Sequence, residues 1–170
     1  VLVIGNGSNL LIADTGFPGI TVATGKHFET ITIDRETATV YAGSSVALPS
    51  LARRSVALGL SGFEWAVGVP GSIGGAVRMN AGTVMGEVSD SLESARVVTP
   101  DGEARWIAAA ELELSYRSSS LPRGAVVVAA RFHTRDADPA MRSRLAEVLA
   151  YRKSTQPLQY PSCGSVFANP

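Results

Sequence analysis

Cysteine is nearly absent: Cys163 is the one thiol in 170 residues. An internal disulfide is excluded, and a lone thiol suits a reducing compartment, so the expected localisation is cytoplasmic. Cys163 builds no metal site alone, and His27 and His133 lack ligand-like spacing, so no metal is expected. Neither sign of charge is in surplus, with 15 Lys plus Arg against 15 Asp plus Glu. That balance leaves no electrostatic footprint for nucleic acid or an acidic membrane surface. No apolar run is long enough to cross a bilayer, and there is no signal peptide, internal repeat or low-complexity linker. A 45% hydrophobic composition is enough for a core. The chain starts inside an apolar run and stops at Asn169-Pro170, so truncation at both ends is expected.

Small residues are abundant in two places. Val69-Pro70-Gly71-Ser72-Ile73-Gly74-Gly75-Ala76, followed by Asn80-Ala81-Gly82, has little side chain to bury. Glycine lets a backbone approach a partner closely. Converging peptide N–H groups, helped by a helix start at Ser72, predict a concave anion site suited to a phosphate or diphosphate. Gly5-Asn6-Gly7-Ser8-Asn9 is the second such loop, following the strand-like Val1–Ile4. Leu10-Leu11-Ile12 then resumes an apolar run, so the loop is expected to join two strands. A Rossmann fingerprint is excluded, because the third glycine and the following helix are missing. Asn-Gly is also a strong signal for a plain tight turn. The presence of both loops favours phosphate.

Short strands are expected at 20–23, 30–34 and 39–42, with a hairpin turn at Arg35-Glu36-Thr37. Val46, Leu48, Leu51, Ala52, Ser55 and Leu58 fit one face of a helix that Gly59 ends. A short helix is expected from Ser72 through Val77. Strands follow at 92–99 and 104–107 around the turn Pro100-Asp101-Gly102-Glu103, and 125–132 reads as a buried central strand. Asp138-Pro139 predicts a cap and first turn for a helix with the stripe Met141, Leu145, Val148 and Leu149. The fold class is α+β, with mixed sheets flanked by helices.

Tyr116-Arg117 places a planar guanidinium where it can clamp a carboxylate or phosphate, although spacing alone favours a surface arginine. In the last segment Gly164 stands beside Ser165, and Asn169 follows four residues on. Ser165 reads either as a proton donor or as a turn hydroxyl bonded to its own backbone. Cys163 reads as a nucleophile or, with nothing to lower its pKa, as a small buried thiol.

Taken together, Gly5-Asn6-Gly7-Ser8-Asn9-Leu10-Leu11, the Gly68–Ala76 run with Asn80-Ala81-Gly82, Ser115-Tyr116-Arg117 and Pro161-Ser162-Cys163-Gly164-Ser165-Val166-Phe167 resemble the UDP-N-acetylenolpyruvoylglucosamine reductase family. The passage from Arg152 through Gln156-Pro157 to Gly164-Ser165 is similar to its shorter subtype. The first two segments alone resemble the wider FAD-binding fold of vanillyl-alcohol oxidase and p-cresol methylhydroxylase.

The resemblance implies FAD as cofactor, NADPH as hydride donor and a UDP-sugar enolpyruvyl ether as substrate, in peptidoglycan synthesis. It implies Arg117 as the cation that stabilises the enolate-like intermediate and Ser165 as its proton donor. Gly5, Asn6, Gly7, Ser8, Asn9, Val69, Pro70, Gly71, Ser72, Gly74, Gly75, Ala76, Asn80, Gly82 and Tyr116 would hold the cofactor, and Arg152 and Asn169 the substrate. Thr155 stands where relatives often carry lysine. The family's catalytic glutamate would lie beyond Pro170. Residues 1–43 and 44–154 are expected as two FAD-binding parts, and 155–170 as the start of a substrate domain. Other readings are a different FAD oxidoreductase of this fold, or a flavin- or nucleotide-binding fragment without catalysis.

Overall fold

The computed structural model describes residues 1–135, 138–157 and 159–160. Its centre is a five-stranded antiparallel sheet in the order β3-β4-β9-β7-β8. The strands are β3 (Ile31–Asp34), β4 (Thr39–Gly43), β7 (Leu92–Val98), β8 (Ala104–Ala108) and β9 (Val126–His133). Two small pairs flank it: β1 (Leu2–Ile4) runs parallel to β2 (Thr21–Ala23), and β5 (Gly82–Thr83) antiparallel to β6 (Gly86–Glu87). Three α-helices, α1 (Leu48–Ala57), α2 (Ile73–Arg78) and α3 (Met141–Thr155), complete the mixed architecture together with short 3-10 segments. The large sheet draws strands from both sides of residue 43.

The apolar run at 125–132 does become the central strand, β9, pairing with β4 on one side and β7 on the other. The turn at 35–37 forms because Asp34 Oδ1 accepts the N–H groups of Glu36 and Thr37, at 2.9 and 3.3 Å. Alternation along the strands gives the sheet two faces. One face sends Val40, Ala42, Ala95, Val97, Ala130 and Phe132 into the core. There they meet Leu48 and Leu51 of α1, Ile73 and Val77 of α2, and Phe63 and Trp65. Phe63 and Phe132 pack edge to face, with centroids 5.1 Å apart at 82°. On the other face Arg131 lies over the Trp106 ring at 4.1 Å, and Tyr41 meets the same ring edge-on at 6.3 Å. That stack shields the sheet with aromatic surface while the guanidinium stays wet.

Four sequence expectations are corrected. Leu10–Ile12 forms no strand: no partner strand pairs with it among the described residues, and Leu11 is 97% exposed. An apolar triplet without a ladder partner has no way to satisfy its backbone as a strand. Leu58 is exposed, because α1 ends at Ala57 and Gly59 turns left-handed (φ 81°) directly after. The third helix starts at Met141, later than Asp138-Pro139 suggests, and its N-cap is Ala140 without a side-chain bond. Asp138 still serves that start, since its Oδ1 accepts the Ala140 N–H at 2.8 Å. Leu149 lies off the buried stripe of Met141, Leu145 and Val148, being one residue (about 100°) beyond Val148.

Phe132→Ala removes a ring from the middle strand with no neighbour able to refill the space. Urea unfolding is expected to show a loss of about 3–5 kcal/mol. A loss under about 1 kcal/mol would mean that this face of β9 is not the core.

Candidate functional site

Two turns converge on one place. Gly5–Ser8 leaves the end of β1, and Gly71–Ser72 precedes α2. A Cβ added to Gly5 would lie 2.1 Å from Ser72 Oγ, and one on Gly71 would lie 2.9 Å from Ser8 Oγ. The two segments touch only because both positions are bare. Gly71 also has φ +117°, which side chains rarely adopt. Among the described residues, no protein acceptor takes the peptide N–H of Asn6, Gly7, Ser8, Gly71 or Ser72. Unused amide donors, two serine hydroxyls and a cradle that a Cβ would fill form a donor set suited to a diphosphate.

The second turn is held from behind. Ser72 occupies the N-cap of α2, but its hydroxyl makes no capping bond; it is turned toward Gly5. Leu48 N–H bonds Gly71 O at 3.1 Å and Ile73 N–H bonds Val46 O at 2.9 Å, tying the turn to the start of α1. Gly74 lets α2 lie flush on the sheet, since a Cβ there would meet Ser44 Cβ at 2.9 Å and Val127 O at 3.2 Å. Ala76 is buried in the core and Gly75 is exposed. Val69 ends the 3-10 segment Glu64–Gly68 and is half-buried, while Pro70 is exposed. The six residues of α2 make a short dipole, so local N–H groups carry the anion-binding character.

At the far end of α2, about 9 Å along the axis, Arg117 is docked on main-chain carbonyls. Its Nη1 donates to Asn80 O at 3.2 Å and its Nη2 to Gly82 O at 2.7 Å. Its guanidinium carbon stands 4.9 Å from the centre of the Tyr116 ring. Arg117 and Asn80 both have left-handed backbones, φ 55° and 40°. Asn80 is the organiser of this end. It is fully buried, its Nδ2 donates to Glu87 Oε1 and Ser115 O, both at 3.0 Å, and its Oδ1 accepts Ser89 N–H at 3.0 Å. The Ser89 hydroxyl, the Asn80 amide and the Arg117 charge together hold the Glu87 carboxyl below its ordinary value, against a smaller opposing effect of burial.

Arg152 packs on the 3-10 segment that precedes the second turn. Its stem crosses Gly68, where a Cβ would come 3.0 Å from Arg152 Cδ. The helix bearing it is pinned by Arg144, which donates to Glu64 Oε1 (2.8 Å), Asp138 Oδ2 (2.7 Å) and Ser61 Oγ (3.0 Å). Glu64 also accepts Gly62 N–H at 2.7 Å and Ser61 O–H at 2.8 Å. A cavity of about 810 Å³ bounded by Ser61, Glu64, Trp65, Met85, His133 and Arg144 lies beside this clamp and contains none of the expected site residues.

The structure thus gathers Gly5–Ser8 with Gly71–Ser72, and Asn80 and Gly82 with Tyr116 and Arg117. Ser165, Asn169, Cys163 and Gly164 lie outside the described residues. Glu87, Ser89, Glu64 and Arg144 were not singled out from sequence: each is a lone polar residue whose partner becomes visible only in three dimensions. Among the described residues no group of three or more His, Cys, Asp or Glu could hold a metal ion, and no helix is long and apolar enough to cross a membrane.

These features define a flavoprotein class. A family model described as an FAD binding domain matches residues 1–108, and the chain belongs to that family. Its particular relatives are UDP-N-acetylenolpyruvoylglucosamine reductases. The one from Agathobacter rectalis is 42% identical over 182 aligned positions, covering 100% of this chain and 58% of the relative. That from Gloeobacter violaceus is 46% identical over 173 positions, covering 100% and 58%. The crystal structure of the Thermus caldophilus reductase superposes with TM-score 0.85 at 38% identity, covering 99% of this chain and 60% of that one. A 6-hydroxy-D-nicotine oxidase from Arthrobacter nicotinovorans shares the fold alone, with TM-score 0.59 at 21% identity over 79% of this chain and 31% of that one. The chain therefore spans a little over half the length of the reductases it matches.

Burial raises the Glu64 carboxyl, but Arg144, peptide N–H groups and Ser61 outweigh it and leave Glu64 below its ordinary value of 4.5. A depressed folded value adds stability that is complete above the unfolded value and is lost as pH falls through the folded one. Urea midpoints of wild type and Glu64→Gln should differ most near neutral pH and converge as pH falls below the ordinary carboxylate range. A gap constant with pH would assign the loss to packing and remove the charge from the clamp.

Proposed function

We propose that this chain is the flavin-holding part of a UDP-N-acetylenolpyruvoylglucosamine reductase, a cytoplasmic enzyme. It would use NADPH and FAD to convert UDP-N-acetylglucosamine enolpyruvate to UDP-N-acetylmuramate for peptidoglycan synthesis. The supporting observation is the two-ended site: a diphosphate cradle at the start of α2 and a seated guanidinium beyond its end. The relatives that match the whole chain carry the same name.

Gly5, Gly7, Ser8, Gly71 and Ser72 would hold the diphosphate through N–H and O–H donors, without a lysine or a metal. Asn6, Asn9, Val69, Pro70 and Gly75 would shape that wall, and Gly74 and Ala76 would seat α2 beneath it. FAD, when bound, supplies hydride chemistry, accepting hydride from NADPH and passing it to the enolpyruvyl β-carbon. Negative charge then grows over the α-carbon and its carboxylate. Arg117 presents a preoriented cation to that charge, an interaction stronger in the transition state than in the ground state. Among the described residues, two of the five guanidinium N–H donors are used by carbonyls, and the others would be open to a carboxylate. Ser165, on the family resemblance, gives its Oγ proton to the α-carbon, while Asn169 and Arg152 contact the substrate.

Gly5→Ala is expected to weaken FAD binding about tenfold or more, close to 1.4 kcal/mol, in a flavin fluorescence titration. Wild-type affinity in that variant, or a purified protein that is colourless and cannot be reconstituted with FAD, would remove the cradle. In the full-length enzyme, Arg117→Lys and Ser165→Ala should leave flavin reduction by NADPH near wild type and slow reoxidation by the enolpyruvyl substrate about a hundredfold. Equal losses in both half-reactions would strike both residues from the catalytic list.

A further inference from the structure

Arg117 is a cation without a carboxylate in contact among the described residues; carbonyls hold it. Behind those carbonyls stands Glu87. It is paired across the small hairpin with Gly82, one of the two residues whose carbonyl oxygens accept from the Arg117 guanidinium. A Cβ on Gly82 would fall 2.4 Å from Glu87 Cβ, so the two strands close only over a glycine. Glu87 is itself fixed, its N–H donating to Asp90 Oδ2 at 2.8 Å. Its Oε1 takes the Asn80 amide at 3.0 Å and the Ser89 hydroxyl at 2.6 Å. Asn80, so held, supplies the other carbonyl of the seat and anchors Ser115, two residues before Arg117, through its Nδ2.

We infer that Glu87 is a positioning residue for Arg117: through Asn80 and Gly82 it fixes both carbonyls that seat the guanidinium, while staying one hydrogen-bonded step away from it. The inference rests on Arg117 being the catalytic cation. The separation has a chemical reason. A carboxylate in direct contact would neutralise the charge that the developing enolate needs. Carbonyl dipoles orient a guanidinium without cancelling it. The interposed Asn80 amide lets an acid enforce geometry without forming an ion pair. Left-handed backbones at both Asn80 and Arg117 are sparsely populated conformations, and such conformations persist where surrounding bonds over-determine them.

The test uses the full-length holoenzyme and its apoprotein. Glu87→Ala should slow reoxidation of reduced flavin by UDP-N-acetylglucosamine enolpyruvate about tenfold and leave flavin reduction by NADPH within about twofold. Glu87→Gln, whose amide oxygen can accept both bonds, should return the slow step to within about threefold of wild type. In the apoprotein, the nitrogen-15 guanidinium signal of Arg117 should be sharp in wild type and Glu87→Gln and broadened in Glu87→Ala. Reoxidation at the wild-type rate in Glu87→Ala, an unbroadened signal, or equal losses in both half-reactions overturns the role. So does a loss of the same factor when Glu87→Ala is placed in an Arg117→Ala background, because a residue acting through Arg117 has nothing left to act on. Arg117→Ala turning over like wild type would instead sink the reading of Arg117 itself, and the role of Glu87 with it. Should Glu87→Ala not fold, Ser89→Ala removes one of the two bonds to Oε1. It should give a smaller loss of about threefold in the same half-reaction, and no loss there counts against the proposal.

Discussion

The contact between residue 5 and residue 72 is the constraint on which the rest depends. A single methyl on Gly5 would occupy the space of the Ser72 hydroxyl, so the two turns meet only as bare backbone. Close packing normally gains from side chains filling space. Here the gain comes from their absence, and it is geometric: peptide N–H groups from two distant parts of the chain face one volume. The support is conventional. Ile73 and Val77 bury one side of α2, and Gly74 brings the helix axis down onto β9. The Gly71–Ser72 half of the cradle thus rests on the core, where a displacement of the turn would have to move Ile73 and Val77.

Much of this was legible in the sequence, for identifiable reasons. The two small-residue loops announced themselves because glycine runs are useless as core. The central strand was legible because β9 opens with the unbroken apolar run Val126 to Ala130, the composition of a strand paired on both edges. Boundaries were less so. Leu10–Ile12 has strand composition but no partner, and pairing is a tertiary property. Leu149 belongs to an apolar pattern, yet α3 packs through a narrower stripe, with the adjacent Arg144 occupied by Glu64 and Asp138. Least legible was the network around Asn80. Asn80, Glu87, Ser89, Ser115 and Arg117 show no helical or strand periodicity, and a turn, a hairpin and a left-handed residue are all needed to bring them together. Spacing left Arg117 as a surface arginine; the fold seats it.

Fold and chemistry separate cleanly along α2. The oxidase from Arthrobacter nicotinovorans shares the architecture at 21% identity, which speaks to the frame alone. The frame is the sheet, the flush helix and the turns. Specific chemistry is grafted where the frame ends, as is usual for widely reused folds. In this chain the seat of Arg117, built from Asn80 and Gly82 with Glu87 behind them, stands beyond the end of α2.

A helix of six residues between the two ends is also a ruler. Its rise of about 9 Å sets the spacing between the Gly71–Ser72 turn and the Asn80 end where Arg117 is seated. Lengthening α2 by one residue would rotate Asn80 by about 100° and carry the Arg117 seat off the face that looks toward the cradle. Shortening it would pull the Gly82 hairpin into Trp65, against which Gly86 already packs with no room for a side chain. The two ends are therefore coupled through covalent geometry and burial, not through a path of moving parts. On the proposed function, the second end has one cation to hold, and Glu87, one amide away through Asn80, holds it without an ion pair.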